Sequence, residues 1–324
     1  MQHDEVPNPW HGRVDALDGA AGRRWHQVVQ PLAQATSAGV ALCGLASDAG
    51  VRRNHGRPGA AEGPRTLRKY LANLAWHGTD AQGLYDAGDV AVDGDALEAA
   101  QAEYARRVAA ALRAGHRTIG LGGGHEIAWA SYQALAAALA GEARLHRVGI
   151  VNFDAHFDLR QAEREGVGSS GTPFLQIAEA RGGAGQPFSY LCLGISETAN
   201  TRALFERAEA LGVQYVTDLD IDGPQAEQAL RSFVAANDAI YCTFCLDVLP
   251  PAVAPGVSAP SGLGVPLHRA IALLRLLVTE CRRAGSDKLA LADVAEYSPP
   301  HDAPDGRTGR TAARIVYELA GLHR

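Results

Sequence analysis

Short apolar runs alternate with segments of helical period along most of the chain, and this alternation restricts the fold more than any other feature. We predict strands at residues 39–45, 117–121, 148–153, 190–195, 213–217, 240–246 and 289–294. The spacing of apolar residues between them predicts helices at 63–74, 96–114, 127–140, 201–210, 225–235, 266–283 and 309–319. Strands that alternate with helices form a parallel sheet covered by helices on both faces. We therefore expect a single α/β domain over residues 1–324, with residues 1–36 as an N-terminal extension or helix packed on it.

The composition argues against several classes of function. Apolar residues make up 47% of the chain and charged residues 20%, so a large core can form. The net charge of −6 provides no basic surface for nucleic acid. The N-terminus lacks the basic start and apolar run of a signal peptide, and no uncharged apolar run reaches the roughly 18 residues of a membrane helix. The five cysteines, an odd number, favour free thiols in a reducing compartment. We expect a cytoplasmic protein that binds neither nucleic acid nor membrane.

Three potential metal ligands follow the strand predicted at 148–153. Asp154, His156 and Asp158 occupy alternate positions, so their side chains would share one face if the backbone stayed extended. Carboxylates mixed with imidazole suit manganese, iron or zinc, whereas an all-oxygen set would suit calcium or magnesium. The ordinary alternative is a polar strand end whose charges face water. We interpret the stretch as half of a metal site.

Other predicted strands bring further ligand types to the same edge of the sheet, because right-handed crossovers place every strand-to-helix loop there. His125 follows three glycines and precedes a helix, Asp247 follows the strand at 240–246, and Glu296 follows the last strand. Cys245 lies two residues before Asp247. Each residue also has an ordinary interpretation: a helix-capping histidine, a small apolar cysteine and a solvated glutamate.

Several motifs together resemble those of the arginase, or ureohydrolase, family. Four segments of this chain look like the metal and substrate motifs of that family and occur in the same order along the chain. They are GGGHE (122–126), DAHFD (154–158), CLDVLPPAVAPG (245–256) and DVAEYSP (293–299). Resemblance to the formimidoylglutamases within it lies in GVRRNHGRPGA (50–60), GGGHEIA (122–128), SSGTPF (169–174) and VAPGVSAP (253–260). The resemblance covers residues from about 39 to about 299. It implies an arginase-like α/β fold, a parallel sheet flanked by helices on both faces.

The resemblance also implies two manganese ions per subunit. Its motifs place six metal ligands at His125, Asp154, His156, Asp158, Cys245 and Asp247. Asp154 would contact both ions. His125 and Asp158 would complete one set of ligands, and His156 and Asp247 the other.

Cys245 is the main departure from the family pattern, because it stands where the family has a further bridging carboxylate. A thiolate is softer than a carboxylate and has a single donor atom. One ion in place of two, or a different metal such as zinc or iron, is therefore an alternative to a manganese pair.

The implied reaction is hydrolysis of N-formimidoyl-L-glutamate to L-glutamate and formamide, a step of histidine degradation. In this family paired divalent ions make hydroxide available at neutral pH. Glu296 would pair with the cationic amidine, and Asp158 would orient the nucleophile and transfer its proton. Arginases carry a proton-shuttling histidine after the Ser-Gly motif, where this chain has Phe174, and this difference argues against arginine as the substrate.

A substrate with two carboxylates requires donor groups. Arg160, two residues past Asp158, is placed to bind a carboxylate in a bidentate manner, unless it is a surface ion-pair partner. Further candidates for substrate binding are Ser170, Thr172 and Asn200. Family members are commonly oligomers, so a homo-oligomer is a further expectation.

Three other functions remain open at this stage. One is a related hydrolase of amidino or guanidino acids that releases urea. A second is a catalytically weakened metal-binding relative, since the bridging carboxylate is missing. The third is a two-metal phosphoesterase, which is ranked last because this chain has no basic phosphate-binding residues near the motifs. The sequence assigns no role to His55, Glu126 or His268.

Overall fold

Nine strands form one sheet in the part of the chain that the computed structural model describes, residues 8–79, 82–283 and 288–322. They are β1 (Gln30–Pro31), β2 (Gly39–Ala46), β3 (Gly83–Ala91), β4 (Arg117–Gly122), β5 (Val148–Phe153), β6 (Ser189–Ile195), β7 (Gln214–Thr217), β8 (Ala239–Cys245) and β9 (Leu289–Ala295). Their order is β1-β3-β2-β4-β9-β8-β5-β6-β7. Every neighbouring pair is parallel.

The described residues form nine α-helices, most of them in crossovers between strands. They are α1 (Ala49–Arg53), α2 (Gly63–Leu71), α3 (Leu97–Arg113), α4 (Ile127–Ala138), α5 (Pro173–Gly183), α6 (Arg202–Ala210), α7 (Pro224–Ala236), α8 (Leu267–Arg283) and α9 (Arg307–Ala320). Among these residues, no helix combines the length and the apolar character needed to cross a membrane.

Apolar side chains cover both faces of the sheet. On one face, Val151 and Phe244 belong to a buried cluster with side chains of α2, α7, α8 and α9. On the other face, Ile150 and Tyr241 pack with side chains of α3, α4, α5 and α6. Successive residues of a strand point to opposite faces, so a strand between two helical layers is apolar throughout. The predicted parallel sheet with helices on both faces is confirmed.

The seven predicted strands and seven predicted helices are all present, with ends that differ by a few residues. The sequence did not reveal β1, β3, α1 or α5. Strand β3 lies next to the edge of the sheet and carries Asp86 and Asp89 among its residues, so it does not resemble a buried strand. Helix α1 has five residues, too few for a recognisable helical period.

The N-terminal segment packs on the sheet as short 3-10 helices between residues 16 and 34, and residues 1–7 lie outside the described part. Trp25 is fully buried, and its ring centroid lies 6.2 Å from that of Tyr317 in α9. The Trp10 indole donates a hydrogen bond of 2.6 Å to Asp86 in β3. The single-domain organisation stays a prediction.

Candidate active site

Four neighbouring strands in the middle of the sheet supply the predicted ligands. In spatial order β4, β9, β8 and β5, their carboxyl ends lead to His125, Glu296, Cys245 with Asp247, and Asp154. Polar side chains at the ends of parallel strands meet at one edge of the sheet. The predicted convergence at this edge is therefore present in the structure.

The segment after β5 gathers its three side chains by turning, because the extended backbone considered in the sequence analysis ends at Phe153. Asp158 has a φ of +48°, in the left-handed region. The Asp154 carboxylate accepts hydrogen bonds from the His156 amide at 2.8 Å and from the Asn152 amide group at 3.0 Å. These bonds fix a turn that brings the ligands together although they do not alternate along a strand.

One group of ligand atoms surrounds His125. Its Nδ1 lies 3.0 Å from an Asp154 oxygen and 2.9 Å from an Asp158 oxygen. The Cys245 sulfur completes a triad with His125 and Asp154 in which all ligand atoms lie within 4.8 Å of one another. Nε2 of the same imidazole is hydrogen-bonded to the Thr243 hydroxyl at 2.9 Å, which orients the ring.

A second group shares Asp154. His156 Nδ1 lies 3.5 Å from Asp154 Oδ1 and 3.2 Å from Asp247 Oδ2. These three side chains also lie within 4.8 Å of one another at their ligand atoms. The two groups and Asp158 together are called the candidate metal centre below.

The candidate metal centre contains buried polar atoms that are not hydrogen-bonded within the described part of the chain. Asp247 Oδ1 is buried and makes no hydrogen bond there, and His125 Nδ1, although 2.9–3.0 Å from two carboxylate oxygens, makes none of good geometry. An unsatisfied buried polar atom costs free energy of about 1–3 kcal/mol, and the convergent carboxylates repel one another. A divalent cation would satisfy these atoms and neutralise the carboxylates, and the mixture of carboxylate, imidazole and thiol suits a transition metal. The residues therefore fit the implied metal.

The electrostatics of the two histidines point the same way. Burial opposes protonation of His125, yet the carboxylates of Asp154 and Asp158 raise its pKa well above the ordinary value. His156 behaves likewise because Asp247 and Asp154 outweigh its burial and raise its pKa. Burial and the charge of Asp154 raise the pKa of Asp158 to about 6. The site therefore strongly attracts positive charge, whether protons or metal ions.

Cys245 is 1% exposed at the end of β8. Burial, followed by the negative charges of Asp154 and Asp247, raises the pKa of its thiol well above the ordinary value. The thiol thus keeps its proton unless a cation lies beside it, since a coordinating metal deprotonates a thiol.

Glu296 contacts the backbone of His125. One oxygen of its carboxyl group accepts a 2.8 Å hydrogen bond from the His125 amide, whereas the other is buried without a hydrogen bond in the described part of the chain. Burial, followed by the charges of Glu126 and Asp247, raises the pKa of Glu296 to about 8. A cationic group beside the free oxygen would restore the ionised form.

A cavity of about 290 Å³ opens onto the candidate metal centre. It is lined by Asn54, His55, Gly56, Arg57, His125, His156, Asp158, Arg160, Ser170, Cys245, Asp247, Ser258, Ala259 and Glu296. His55, Asp158 and Glu296 are the three non-glycine residues with positive φ among the described residues, and all three line this cavity. Such conformations cost about 1–3 kcal/mol each and cluster at functional sites.

Of the four candidates for substrate binding, Arg160 and Ser170 line the cavity. The structure does not bring Thr172 and Asn200 there. The Thr172 hydroxyl is bonded to Ser169 and Gln176 within its own loop. The Asn200 side chain uses its donor and acceptor on the backbone of residues 155, 157 and 196. Their polar groups hold loops together, which a sequence pattern does not distinguish from ligand binding.

The segment 54–57 and the loop at 258–259 also line the cavity, and none of their residues was predicted as part of the site. Their signal was the GVRRNHGRPGA motif, a glycine- and arginine-rich turn without a metal-ligand pattern. Glu126 is buried and accepts hydrogen bonds from the Ser47 hydroxyl and the Gly50 amide. His268 is exposed on α8 and is not among the residues lining the cavity.

Comparisons with known proteins agree with this geometry. A profile of the arginase family matches residues 38–321. The chain is 50% identical to the formimidoylglutamase of Aromatoleum aromaticum over 99% of this chain and 94% of that protein. It is 51% identical to the formimidoylglutamase of Ralstonia nicotianae over 98% of this chain and 95% of that protein.

A solved structure extends the comparison to the fold. The structure of Trypanosoma cruzi formiminoglutamase with Mn²⁺ superposes with a TM-score of 0.75 at 24% identity, over 89% of this chain and 95% of that one. At this identity the likeness concerns the fold alone. The family profile and the near full-length relatives establish that this chain belongs to the arginase family.

Proposed function

We propose that this protein hydrolyses N-formimidoyl-L-glutamate to L-glutamate and formamide in histidine degradation. The observation that carries the proposal is the convergence of His125, Asp154, His156, Asp158 and Asp247 beside the buried Glu296, in a cavity that Arg160 also lines. Identity of about half with formimidoylglutamases over nearly the whole chain supports it.

The proposed cofactor is manganese, two ions per subunit, with Asp154 shared between the two ligand groups. Bound there, the ions would lower the pKa of water and make hydroxide available at neutral pH. His125, Asp158 and Cys245 would hold one ion, and His156 and Asp247 the other. Cys245 leaves a single ion or a softer metal as the alternative outcome.

Glu296 is the proposed partner of the amidine cation. Its free carboxyl oxygen is buried at the cavity wall, and a planar N–H group of the substrate would satisfy it. The resulting ion pair would orient the electrophilic carbon toward the metal ligands. Water adds to this carbon, the bond from carbon to the glutamate nitrogen breaks, and the departing nitrogen takes up a proton.

Asp158 is the proposed group that moves this proton. One of its oxygens lies 2.9 Å from His125 Nδ1, and the side chain lines the cavity in which the substrate would lie. A carboxylate within reach of both the attacking water and the leaving nitrogen can accept a proton from the first and return it to the second. Phe174 cannot transfer a proton, because its side chain has no ionisable group. Its ring is fully buried between His125 and Tyr190, at centroid distances of 5.4 and 4.5 Å.

Product identification tests the proposed reaction. Manganese-loaded protein incubated with formimidoylglutamate should release formamide and glutamate in equal amounts, and NMR spectroscopy measures both products. Urea from a guanidino acid, with no turnover of formimidoylglutamate, would assign the alternative activity. Absence of turnover of amidino and guanidino acids with manganese, zinc, iron and cobalt would indicate a catalytically weakened metal-binding relative.

Arg160 is the proposed carboxylate-binding residue, with Ser170 as a second donor. The guanidinium of Arg160 has no acceptor among the described residues, whereas the nearby Arg53 and Arg207 donate to protein oxygens. Arg160→Ala should raise KM for formimidoylglutamate far more than KM for an uncharged amidine. Equal losses on both substrates would remove this role.

The expectations about partners and location remain proposals. The proposed partner is a small amidino-acid substrate, and we propose that the protein binds neither nucleic acid nor a membrane. A reducing, cytoplasmic location is supported by five buried cysteines without a disulfide. A homo-oligomer is a further proposal, tested by light scattering.

A further inference from the structure

The segment from Ser47 to Gly59 is fixed to the rest of the protein at its start, and its end is hydrogen-bonded back to its start. At its start, one Glu126 oxygen accepts hydrogen bonds from the Ser47 hydroxyl at 2.7 Å and the Gly50 amide at 2.9 Å. At its end, Asp48 accepts from the Gly59 amide at 2.8 Å. These contacts tie the segment to the turn that carries the metal ligand His125.

The two arginines that flank Asn54 are fixed as well. Arg53 donates to Glu98 at 2.6 Å and to the Gly168 carbonyl at 3.0 Å. Arg57 donates to the backbone carbonyls of Val257 at 2.6 Å and of Ser258 at 3.0 Å. The turn between them is therefore held in place from two sides, and its positive φ at His55 reverses the chain there.

Asn54 is the exception within this turn. Its side-chain amide is half-buried, lines the cavity and has no hydrogen-bond partner among the described residues. The neighbouring arginines use their donors on protein oxygens, whereas the Asn54 amide faces the cavity. The amide is therefore positioned to donate a hydrogen bond to a bound ligand.

Asn54 lies next to Arg160, across Gly171. A Cβ atom added to Gly171 would lie 2.8 Å from the Arg160 Cδ and 3.0 Å from both polar atoms of the Asn54 amide. The missing side chain at Gly171 thus lets the two side chains approach one another. Arg160 is also anchored here, because its amide donates to the Gly171 carbonyl at 2.8 Å.

Both residues lie at the outer end of the cavity. Asn54, His55 and Arg160 are shared with an adjoining outer cavity of about 470 Å³, which contains none of the candidate metal ligands. A substrate whose amidine lies at the metal ligands would therefore place its farther end between Asn54 and Arg160. In formimidoylglutamate that end is the side-chain carboxylate.

We propose that Asn54 and Arg160 together bind the side-chain carboxylate of the substrate, so that Asn54 selects for dicarboxylic amidino acids; this rests on the proposed function. The amide donates one hydrogen bond to the carboxylate and the guanidinium binds it as an ion pair. Ser170, deeper in the same cavity, is left for the α-carboxylate.

Two substrates measure this role. The first is formimidoylglutamate, and the second is N-formimidoyl-L-2-aminobutyrate, which keeps the α-carboxylate and lacks the side-chain carboxylate. The readout is the ratio of their kcat/KM values. Asn54→Ala should lower the ratio about 10- to 100-fold, the range expected for a hydrogen bond to a charged group. Asn54→Asp should lower it further, because its carboxylate repels that of the substrate and competes for Arg160.

Gln161→Ala is the matched control, since this amide side chain lines the outer cavity and is not among the residues that line the inner one. It should leave the ratio unchanged. The melting temperature of each variant reports folding, and the ratio compares two substrates on the same folded molecules. An unchanged ratio in Asn54→Ala, or equal losses on both substrates, would overturn the role of Asn54. If the wild-type protein turns over formimidoylglutamate, this failure would leave the proposed function intact.

Discussion

Two clusters of charged side chains in this protein differ in how completely their polar groups are satisfied. In the first, called the Arg68 cluster, Arg68 in α2 contacts Asp86 and Asp89 in β3. Arg68 is 2% exposed, and its guanidinium donates to both Asp86 oxygens, to Asp89 and to two backbone carbonyls. Asp86 also accepts from the Trp10 indole and the Gly88 amide.

The candidate metal centre has the opposite character. Its carboxyl groups outnumber the cationic groups that could neutralise them, and buried atoms of His125 and Asp247 make no hydrogen bond in the described residues. A buried charge is tolerated when it is paired and hydrogen-bonded. The Arg68 cluster is therefore satisfied by the protein itself, whereas the polar atoms of the candidate metal centre would be satisfied by a bound cation.

Loss of Asp154 should have the largest effect, because this carboxylate belongs to both ligand groups. Asp154→Asn should lower kcat/KM for formimidoylglutamate by about 10³-fold or more. Mutation of a residue that only hydrogen-bonds to a metal ligand costs about 10- to 100-fold, and loss of a shared ligand should cost more. Steady-state kinetics on manganese-loaded protein measure this. The control Asp86→Asn should retain activity per folded molecule. If Asp154→Asn kept a tenth of wild-type activity, the shared-ligand assignment would fail.

Removal of Arg68 should affect stability rather than chemistry. Arg68→Met leaves the half-buried Asp86 and the exposed Asp89 without their cation, and loss of hydrogen bonds to a charged group costs about 1.5–3 kcal/mol. Denaturant unfolding at pH 7 gives the free energy of unfolding. The control Arg106→Met removes an exposed pair with Glu103, 70% exposed on the arginine side, and should cost less than about 1 kcal/mol. Equal costs for the two variants would contradict the contrast between the clusters.

Cys245→Asp tests the weakest point of the metal centre. A carboxylate restores a hard, two-atom donor next to Asp154, so manganese affinity should rise by about 10-fold and occupancy per chain should increase. Elemental analysis after equilibrium dialysis measures both. Cys242→Ala, in the same strand but on the opposite face of the sheet, should not change the metal count. An unchanged count in Cys245→Asp would exclude Cys245 as a ligand.

The smallest expected effect is the pH dependence of the Arg68 cluster. Burial alone would raise the pKa of Asp86, but Arg68 outweighs it and lowers that pKa below its ordinary value. The stability from this group is present above the unfolded pKa and is lost as the pH falls through the folded pKa. Between pH 5 and pH 2, unfolding of Asp86→Asn should therefore depend less on pH than that of the wild type. Parallel curves would contradict the ion pair.

The same contrast explains what the sequence could predict. The central strands were predictable because they are apolar throughout, and the ligands at their ends stood out as polar groups behind apolar runs. Strand β3 was not, since Asp86 and Asp89 resemble loop residues until Arg68, distant in sequence, is placed beside them. Thr172 and Asn200 have the right chemistry for substrate binding, but their partners are fixed by loop geometry that no local pattern reveals. Asn54 was missed because its place in the cavity wall depends on the folded turn at 54–57, which carries no metal-ligand pattern.

The central claim is that Asp154 joins two groups of side chains into one metal-binding centre. Elemental analysis of wild-type and Asp154→Asn protein, dialysed together against the same manganese solution, tests this most directly. If Asp154 joins the two groups, the wild-type protein retains manganese and the Asp154→Asn variant, although folded, retains none. Equal manganese content in the two proteins would contradict it.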